Sequence, residues 1–537
     1  MRRLRPHRFS LLYGVSGFAL CLIASATSTL FAHSNDTKAD GPRYVRRLPA
    51  PQTGDAQSGQ EVFRFGTFGS EGFWTDAVRM PQGMKKAKLT PLQALKAGVS
   101  VDVEAVPAEL LTSLAEELKT NLSSANAPLL NDPATTTKLL NANALIGIVV
   151  KDSNGDGKLD ADHGDKVGVA CALCHTITDH SVYAMQNGGT IGHRLDGRTN
   201  HFLNVGKLLA TAANSRALFL TLQLSQGGKT IGRAPKGLTV NSTEAEVDAY
   251  LSNPKYYPIG TFDDSPDGNG NNVHVTPFFR QDLAAPYGSS GQNDKLDDFN
   301  NTVYTALFDQ TMLVTPGGRA FLKALGGEAG GTKLANDYLK VLKATGVKGY
   351  PYVRGATTGK PGTASTPVGI RVDNQKLLDL NAYVVSLPAP KGVHTGRLAE
   401  ARGRELFRAN CTSCHNVDQS KPVPAQLIPM KGIFPGYKPI ILAKRKPPLT
   451  PIQNSPGTFD DKMIVVDASP GGGIRGNAMP LLVDLARKPV FLHDDSVKGL
   501  NSLLNPIRGK LAPHPFYLRG ASQRGDMIAF LKGLETK

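Results

Sequence analysis

A chain of 537 residues, 40% hydrophobic and 20% charged, is too long for one small domain and has room for two or three. Its 56 glycines and 36 prolines indicate short elements joined by long, shaped loops. The formal net charge of +16 is dispersed, without a basic stripe or a reader motif, which excludes nucleic acid as the expected partner.

Residues 1–26 read as an export signal. Arg2, Arg3, Arg5 and Arg8 form a basic start, Leu11 to Ile23 an apolar stretch, and Ala24-Ser25-Ala26 a small-x-small cleavage site. Cys21 would leave with this signal, and Leu20 before it is unsuited to a lipid-attachment site. No later apolar run reaches the ~18 residues needed to span a bilayer. The expected product is therefore periplasmic and has no transmembrane anchor. Without the four signal arginines its charge is about +12, a surface able to steer an acidic redox partner or substrate.

Residues 27–145 are expected to form an N-terminal helical extension, with a polar leader to about residue 60 and Leu/Ala-rich runs such as Pro107 to Leu122. The single tryptophan, Trp74, lies here. Next comes Asp152-Ser-Asn-Gly-Asp-Gly-Lys-Leu-Asp-Ala-Asp-His163, spaced like a calcium-binding EF-hand loop. Asp152, Asn154 and Asp156 take positions 1, 3 and 5, Gly157 the turn, Lys158 position 7 through its carbonyl, and Asp160 position 9. His163 stands where the bidentate Glu belongs, so Asp162 or Asp165 would have to replace it. The same residues also suit a metal-free Asp/Gly turn.

The four cysteines of the mature chain all fall in Cys-x-x-Cys-His: Cys171, Cys174 and His175, then Cys411, Cys414 and His415. Two thiols one helical turn apart can add to the two vinyl groups of one haem, and the next imidazole then reaches the iron. A redox dithiol gives no reason for histidine to follow both times. A shared zinc would have to join motifs 240 residues apart. Two covalent haem c groups are the expectation, one in each of two c-type cytochrome domains, residues 146–390 and 395–537.

The first region is loop-rich, with turn signals at Pro254, Pro258, Gly260 and Asp263 to Asn271. Helical runs are expected near Asn300 to Asp309, Gly318 to Leu325, Leu334 to Ala344 and Leu377 to Leu387, before the linker Pro388-Ala-Pro-Lys-Gly392. In the second region a short amphipathic helix from Gly403 enters the motif, with Phe407 one turn before Cys411. The first motif lacks such a lead-in. The fold class expected is mainly α, with long loop-rich insertions.

The second axial position decides between electron transfer and catalysis. His193, in Gly192-His193-Arg194, is the candidate for haem 1, with Met185 and His201 also in reach. For haem 2 the candidates are His514, in Pro513-His514-Pro515, and Met479, presented from a glycine-rich loop.

The stretch Pro480 to Val497, including Phe491-Leu-His493-Asp-Asp-Ser, resembles the di-haem peroxidase superfamily, which includes bacterial cytochrome c peroxidases, MauG-type enzymes and, more distantly, di-haem rubber oxygenases. The likeness continues through Leu500, Leu503, Leu504 and Pro506 to a closing helix from Asp526 to Leu534. It covers about the last 140 residues, and more loosely some 40 residues around Cys171 to Asn204. The resemblance implies His514 rather than Met479 as the second-haem ligand, His193 on the first haem, and calcium between domains. Asp495 stands in place of the usual Gly, no acid–base Glu closely follows Asp196-Gly197-Arg198, and no Trp lies between the two motifs. The function expected is a peroxidase-like oxidoreductase with a reactive haem 1 and a relay haem 2. Its partner would be a small cytochrome, a cupredoxin or a dehydrogenase. The other expectation is a pure electron-transfer cytochrome.

Overall fold

The computed structural model describes residues 53–226, 238–254, 256–263, 272–279, 281, 287, 293, 295–356, 359–363, 365–411, 426–429, 464–467, 476–478, 482–491, 497–508 and 517–534. Helices predominate in it, and the strands are short and grouped in twos and threes. Among the described residues no helix is long and apolar enough to cross a membrane.

Helix α1 (Ala56–Phe65) begins where the Asp55 carboxylate accepts the Ser58 amide at 2.7 Å and ends at Gly66. Its Gly59, Val62 and Phe63, at helical spacing, form the buried face. Four short helices follow: α2 (Met80–Lys86), α3 (Pro91–Lys96), α4 (Ala108–Glu117) and α5 (Pro133–Asn141). Strand β1 (Val101–Asp102) lies between α3 and α4. Strands β2 (Ile148–Lys151) and β3 (Lys166–Val169) pair antiparallel and carry the Asp152 loop at their tip. The first motif forms a one-turn helix, α6 (Ala172–His175). It runs straight into β4 (Thr176–Thr178), and β5 (Tyr183–Ala184) and β6 (Thr190–Gly192) join β1 in a three-stranded sheet. Strand β7 (Arg194–Asp196) returns antiparallel to β4.

The later elements are α7 (Val205–Leu209), α8 (Phe219–Gln226), α9 (Glu244–Leu251) and α10 (Leu296–Thr302), and α10 continues into a π-helical turn, Val303–Leu307. The helical segment α11 (Pro316–Ala344) folds back on itself. Arg319 reaches the Asn336 side chain at 2.9 Å, and a Cβ on Gly331 would overlap the Leu322 carbonyl. That reversal falls between the two helical runs expected there, Gly318 to Leu325 and Leu334 to Ala344. Helix α12 (Asn374–Ser386) closes the first half. In the second half are α13 (Arg397–Asn410), α14 (Gly499–Leu504) and α15 (Ala521–Lys532).

Two helix crossings of the same construction hold the two halves. In the first, α1 packs on α12, and a Cβ on Gly59 would overlap the Asp379 carbonyl oxygen, so the backbones meet without a side chain between them. Phe63, one turn on, lies against Tyr383 at 5.5 Å between ring centroids. In the second, α13 packs on α15; a Cβ on Gly403 would overlap the Asp526 carbonyl, and Phe407 lies against Phe530 at 5.3 Å. Both crossings therefore set Gly-x-x-x-Phe against Asp-x-x-x-aromatic. The two carboxylates brace the crossings as well: Asp379 accepts the Asp55 amide at 2.8 Å, and Asp526 accepts two bonds from Arg402 at 2.8 and 2.7 Å.

Helix α1 thus packs in the first half as α13 does in the second, but the inserted helices separate it from Cys171. In the second half α13 ends directly on Cys411. One buried cluster runs from Val62 to Val384, and a second from Phe407 to Leu534. The expected boundary at residues 145/146 does not divide the core: residues before and after it share the first cluster.

Candidate functional site

The first motif is held from several sides. Ala170 donates to the Gly147 carbonyl at 3.0 Å, and Gly147, at φ +76, meets the Leu173 backbone so closely that a Cβ there would overlap it. On the outgoing side Gly197 donates to the His175 carbonyl at 2.8 Å and Asn200 to the Cys174 carbonyl at 2.9 Å. The loop after β7 therefore wraps back under the motif.

Cys171 Sγ lies 3.3 Å from the hydroxyl of Tyr304, a fully buried side chain whose ring packs on Phe68 at 4.2 Å. Burial pushes the Cys171 thiol up to about 11 and the Cys174 thiol up to about 12, so both are protonated at neutral pH. His175 Nδ1 sits 2.9 Å from the Thr276 carbonyl oxygen. A carbonyl only accepts, so Nδ1 carries the proton and Nε2 keeps its lone pair. Phe278 stacks on the ring at 3.8 Å and 17°, and burial lowers the imidazole to about 4, which keeps it neutral.

Beside the motif, the Asp196 carboxylate accepts from Arg64 Nε at 2.7 Å, Thr176 Oγ1 at 2.8 Å and Tyr383 Oη at 2.6 Å. One carboxylate thereby ties α1, α12 and the motif strand together. Next to it the buried Arg194 pairs with Asp102, its guanidinium 5.1 Å over the Phe65 ring. Arg194 is 2% exposed. Asp102→Asn would leave that cation without its counter-charge, at a cost of about 3–5 kcal/mol. Urea unfolding should show the loss, and an unchanged midpoint would mean that the pair carries no stability.

His193 is placed elsewhere. It lies beyond the end of the β4–β7 ladder, four residues or about 13 Å of extended strand from the level of His175. Its ring is exposed and meets Glu104 at 3.1 Å. The structure does not bring His193 to His175. Were His175 to hold a haem iron, His193→Ala would be expected to leave the optical spectra of the oxidised and reduced protein unaltered; a changed spectrum would restore His193 as a ligand. Met185 packs against the main core, and His201 is largely buried, with Nδ1 unpartnered.

In the Asp152 loop the side chains serve the loop's own backbone. Asp152 accepts from the Gly155 and Gly157 amides at 2.6 and 2.9 Å, Asn154 from Asp156 at 2.9 Å, and Asp156 from Lys158 at 2.8 Å. Asp160 meets His163 Nδ1 at 2.7 Å, a bond that lowers its carboxyl below the usual range. Asp165, which would replace the missing Glu, accepts the Asp160 and Ser153 amides. Among the described residues no three His, Cys, Asp or Glu side chains gather to hold a metal ion.

Cys411 is buried at the end of α13 against Phe407. Cys414, His415, Met479 and His514 lie outside the described residues, as does the export signal. Sequence reasoning missed Tyr304, Thr276 and Phe278. They stand 101 to 133 residues from the groups they touch, and no local pattern marks them.

No family model matches this chain, and no curated protein matches it. A solved structure of hydrazine synthase from Kuenenia stuttgartiensis, pressurised with 20 bar xenon, aligns with 58% of this chain and 87% of its own at 13% identity. The TM-score is 0.24, a level that carries no argument about fold or activity.

Proposed function

We propose that this chain is a periplasmic di-haem c-type cytochrome acting as a peroxidase-like oxidoreductase, with haem c at Cys171/Cys174 and at Cys411/Cys414. The observation that carries the reading is the presentation of His175: two thiols on the same helical turn, and an imidazole whose Nδ1 proton is committed to a carbonyl so that Nε2 is left for iron. Haem c would supply one-electron redox chemistry and, where the iron keeps an open position, a place for peroxide or oxygen.

The chain's own residues would do the rest. Thr276 fixes the tautomer and raises the basicity of Nε2, and Phe278 holds the ring plane. Tyr304 and Phe68 position the sulfur edge at Cys171. The raised thiols speak against a redox-active dithiol, which needs the thiolate. The repeated helix crossing supports a second unit of the same kind, with His415 proximal and His514, or Met479, opposite it.

The position of His193 favours catalysis over pure electron transfer, because the strongest candidate to close the first iron site stands away from it. The two units then have unequal work: the first reacts, and the second relays electrons to or from a small cytochrome, a cupredoxin or a dehydrogenase. Optical titration of the purified protein with cyanide and peroxide tests this. One haem is expected to take the added ligand. If neither does in any redox state, the chain is an electron carrier.

A further inference from the structure

The crossing of α1 on α12 brings Tyr383 to the first motif by two routes. One is a line of rings. His175 stacks on Phe278 at 3.8 Å, Phe278 meets Phe63 at 6.3 Å, and Phe63 meets Tyr383 at 5.5 Å between centroids. The other runs through one carboxylate. Thr176, the residue after His175, donates from Oγ1 to Asp196 at 2.8 Å, and Tyr383 Oη donates to Asp196 Oδ2 at 2.6 Å.

Two other buried phenols show what is particular to this one. Tyr304 lies against Cys171 Sγ at 3.3 Å and the Gly66 carbonyl at 3.4 Å, and Tyr338 donates to the Ala217 carbonyl at 2.7 Å. A sulfur or a carbonyl oxygen accepts a hydrogen bond but is too weak a base to take the proton. Tyr383 instead faces a carboxylate, a base within reach of its proton. Burial, and then the Asp196 charge, push the phenol up to about 12, so at rest the proton stays on Tyr383. Gln60 Nε2 donates to the same phenolic oxygen at 3.1 Å, and the residue is 7% exposed. An oxidised phenol is a strong acid, so loss of one electron sends its proton to the base already bonded to it.

We propose that Tyr383 is a redox-active tyrosine that stores an oxidising equivalent drawn from the first haem, with Asp196 as the base that takes and returns its proton. The inference rests on the reading of a peroxide-reactive haem at His175. Peroxide, itself reduced to water, leaves that haem short of an electron. One electron then passes from Tyr383 to the haem along the line of rings. The phenolic O–H bond breaks, the proton bonds to Asp196 Oδ2, and a neutral phenoxyl radical remains; the haem is reduced by one electron. An electron donor that reduces the radical draws the proton back from Asp196. Arg64 and Thr176 hold the carboxylate in place throughout.

The test uses the full-length holoprotein, frozen during its first turnover with hydrogen peroxide and read by electron paramagnetic resonance. An organic radical signal is expected beside the haem signals, and it should narrow when the protein is made with ring-deuterated tyrosine. Tyr383→Phe keeps the ring and removes the hydroxyl. It should lose the radical while keeping two haems per chain by pyridine haemochrome. Asp196→Asn keeps the phenol and removes the base, and is expected to lose the radical as well. Tyr304→Phe removes the other phenol beside the motif and should retain it.

Three results would overturn the tyrosine and leave the di-haem reading standing: an optical reaction with peroxide and no radical, a radical that does not narrow with the label, or one that survives Tyr383→Phe or is lost in Tyr304→Phe. A radical retained in Asp196→Asn overturns the role of the carboxylate. Two haems per chain of which neither reacts with peroxide overturn the reactive-haem reading, and the tyrosine with it.

Discussion

Replacing Cys171 and Cys174 together by serine is expected to leave one haem per chain instead of two. The remaining haem should keep the spectrum of the unit that carries Cys411. Each motif supplies its own two sulfurs, and Cys171 and Cys174 pack against one buried cluster while Cys411 belongs to another, so loss of one attachment is not expected to remove the other. The serine hydroxyls cannot form thioethers. Burial that keeps the two thiols neutral, at about 11 and 12, would still hold the side chains in place. Pyridine haemochrome and intact mass give the count directly. Two haems retained in the double variant would show that the first motif is no attachment site. The companion variant His175→Ala keeps both sulfurs, and is expected to keep two haems while one loses its proximal ligand field.

The second large effect concerns the crossings. Gly59→Leu places a branched side chain where even a Cβ would overlap the Asp379 carbonyl, and Gly403→Leu does the same against Asp526. Backbone stands opposite in both, so no flexible side chain can yield. Overpacking of a core costs about 1–3 kcal/mol, and sometimes more where the surroundings cannot relax. Against a total stability of about 5–15 kcal/mol, each leucine should move the urea midpoint of its own unit substantially. Gly59→Leu should release the Cys171 unit to protease first, and Gly403→Leu the Cys411 unit. Simultaneous loss of both units in either variant would mean that the two clusters fold as one.

The sequence told much about what is local. The Cys-x-x-Cys-His spacing of Cys171, Cys174 and His175 survives in any fold, so the motif could be read directly from the sequence. The short helix entering Cys411 was visible because its apolar residues recur within ten positions. Glycine and aspartate in the Asp152 loop announced a tight turn, which the structure has at φ +80 and +78 for Gly155 and Gly157. It left open whether the carboxylates there serve an ion or the backbone, since both uses ask for the same residues.

What only the tertiary structure decided are the long-range meetings. Helix α1 looked like part of an extension because more than a hundred residues separate it from Cys171. Its role shows only when Gly59 is seen against Asp379. The crossing repeats in the second half, yet the two sequences share little beyond Gly-x-x-x-Phe and Asp-x-x-x-aromatic, too sparse a pattern to find along the chain. Gly192-His193 was the natural ligand by proximity, but strand pairing carries it to the wrong end of the hairpin. Thr276 reaches His175 through a backbone carbonyl, which leaves no trace in residue identity. Spacing along the chain thus determined which groups could bind a haem. The close approach of distant backbones decided which nitrogen of His175 carries the proton.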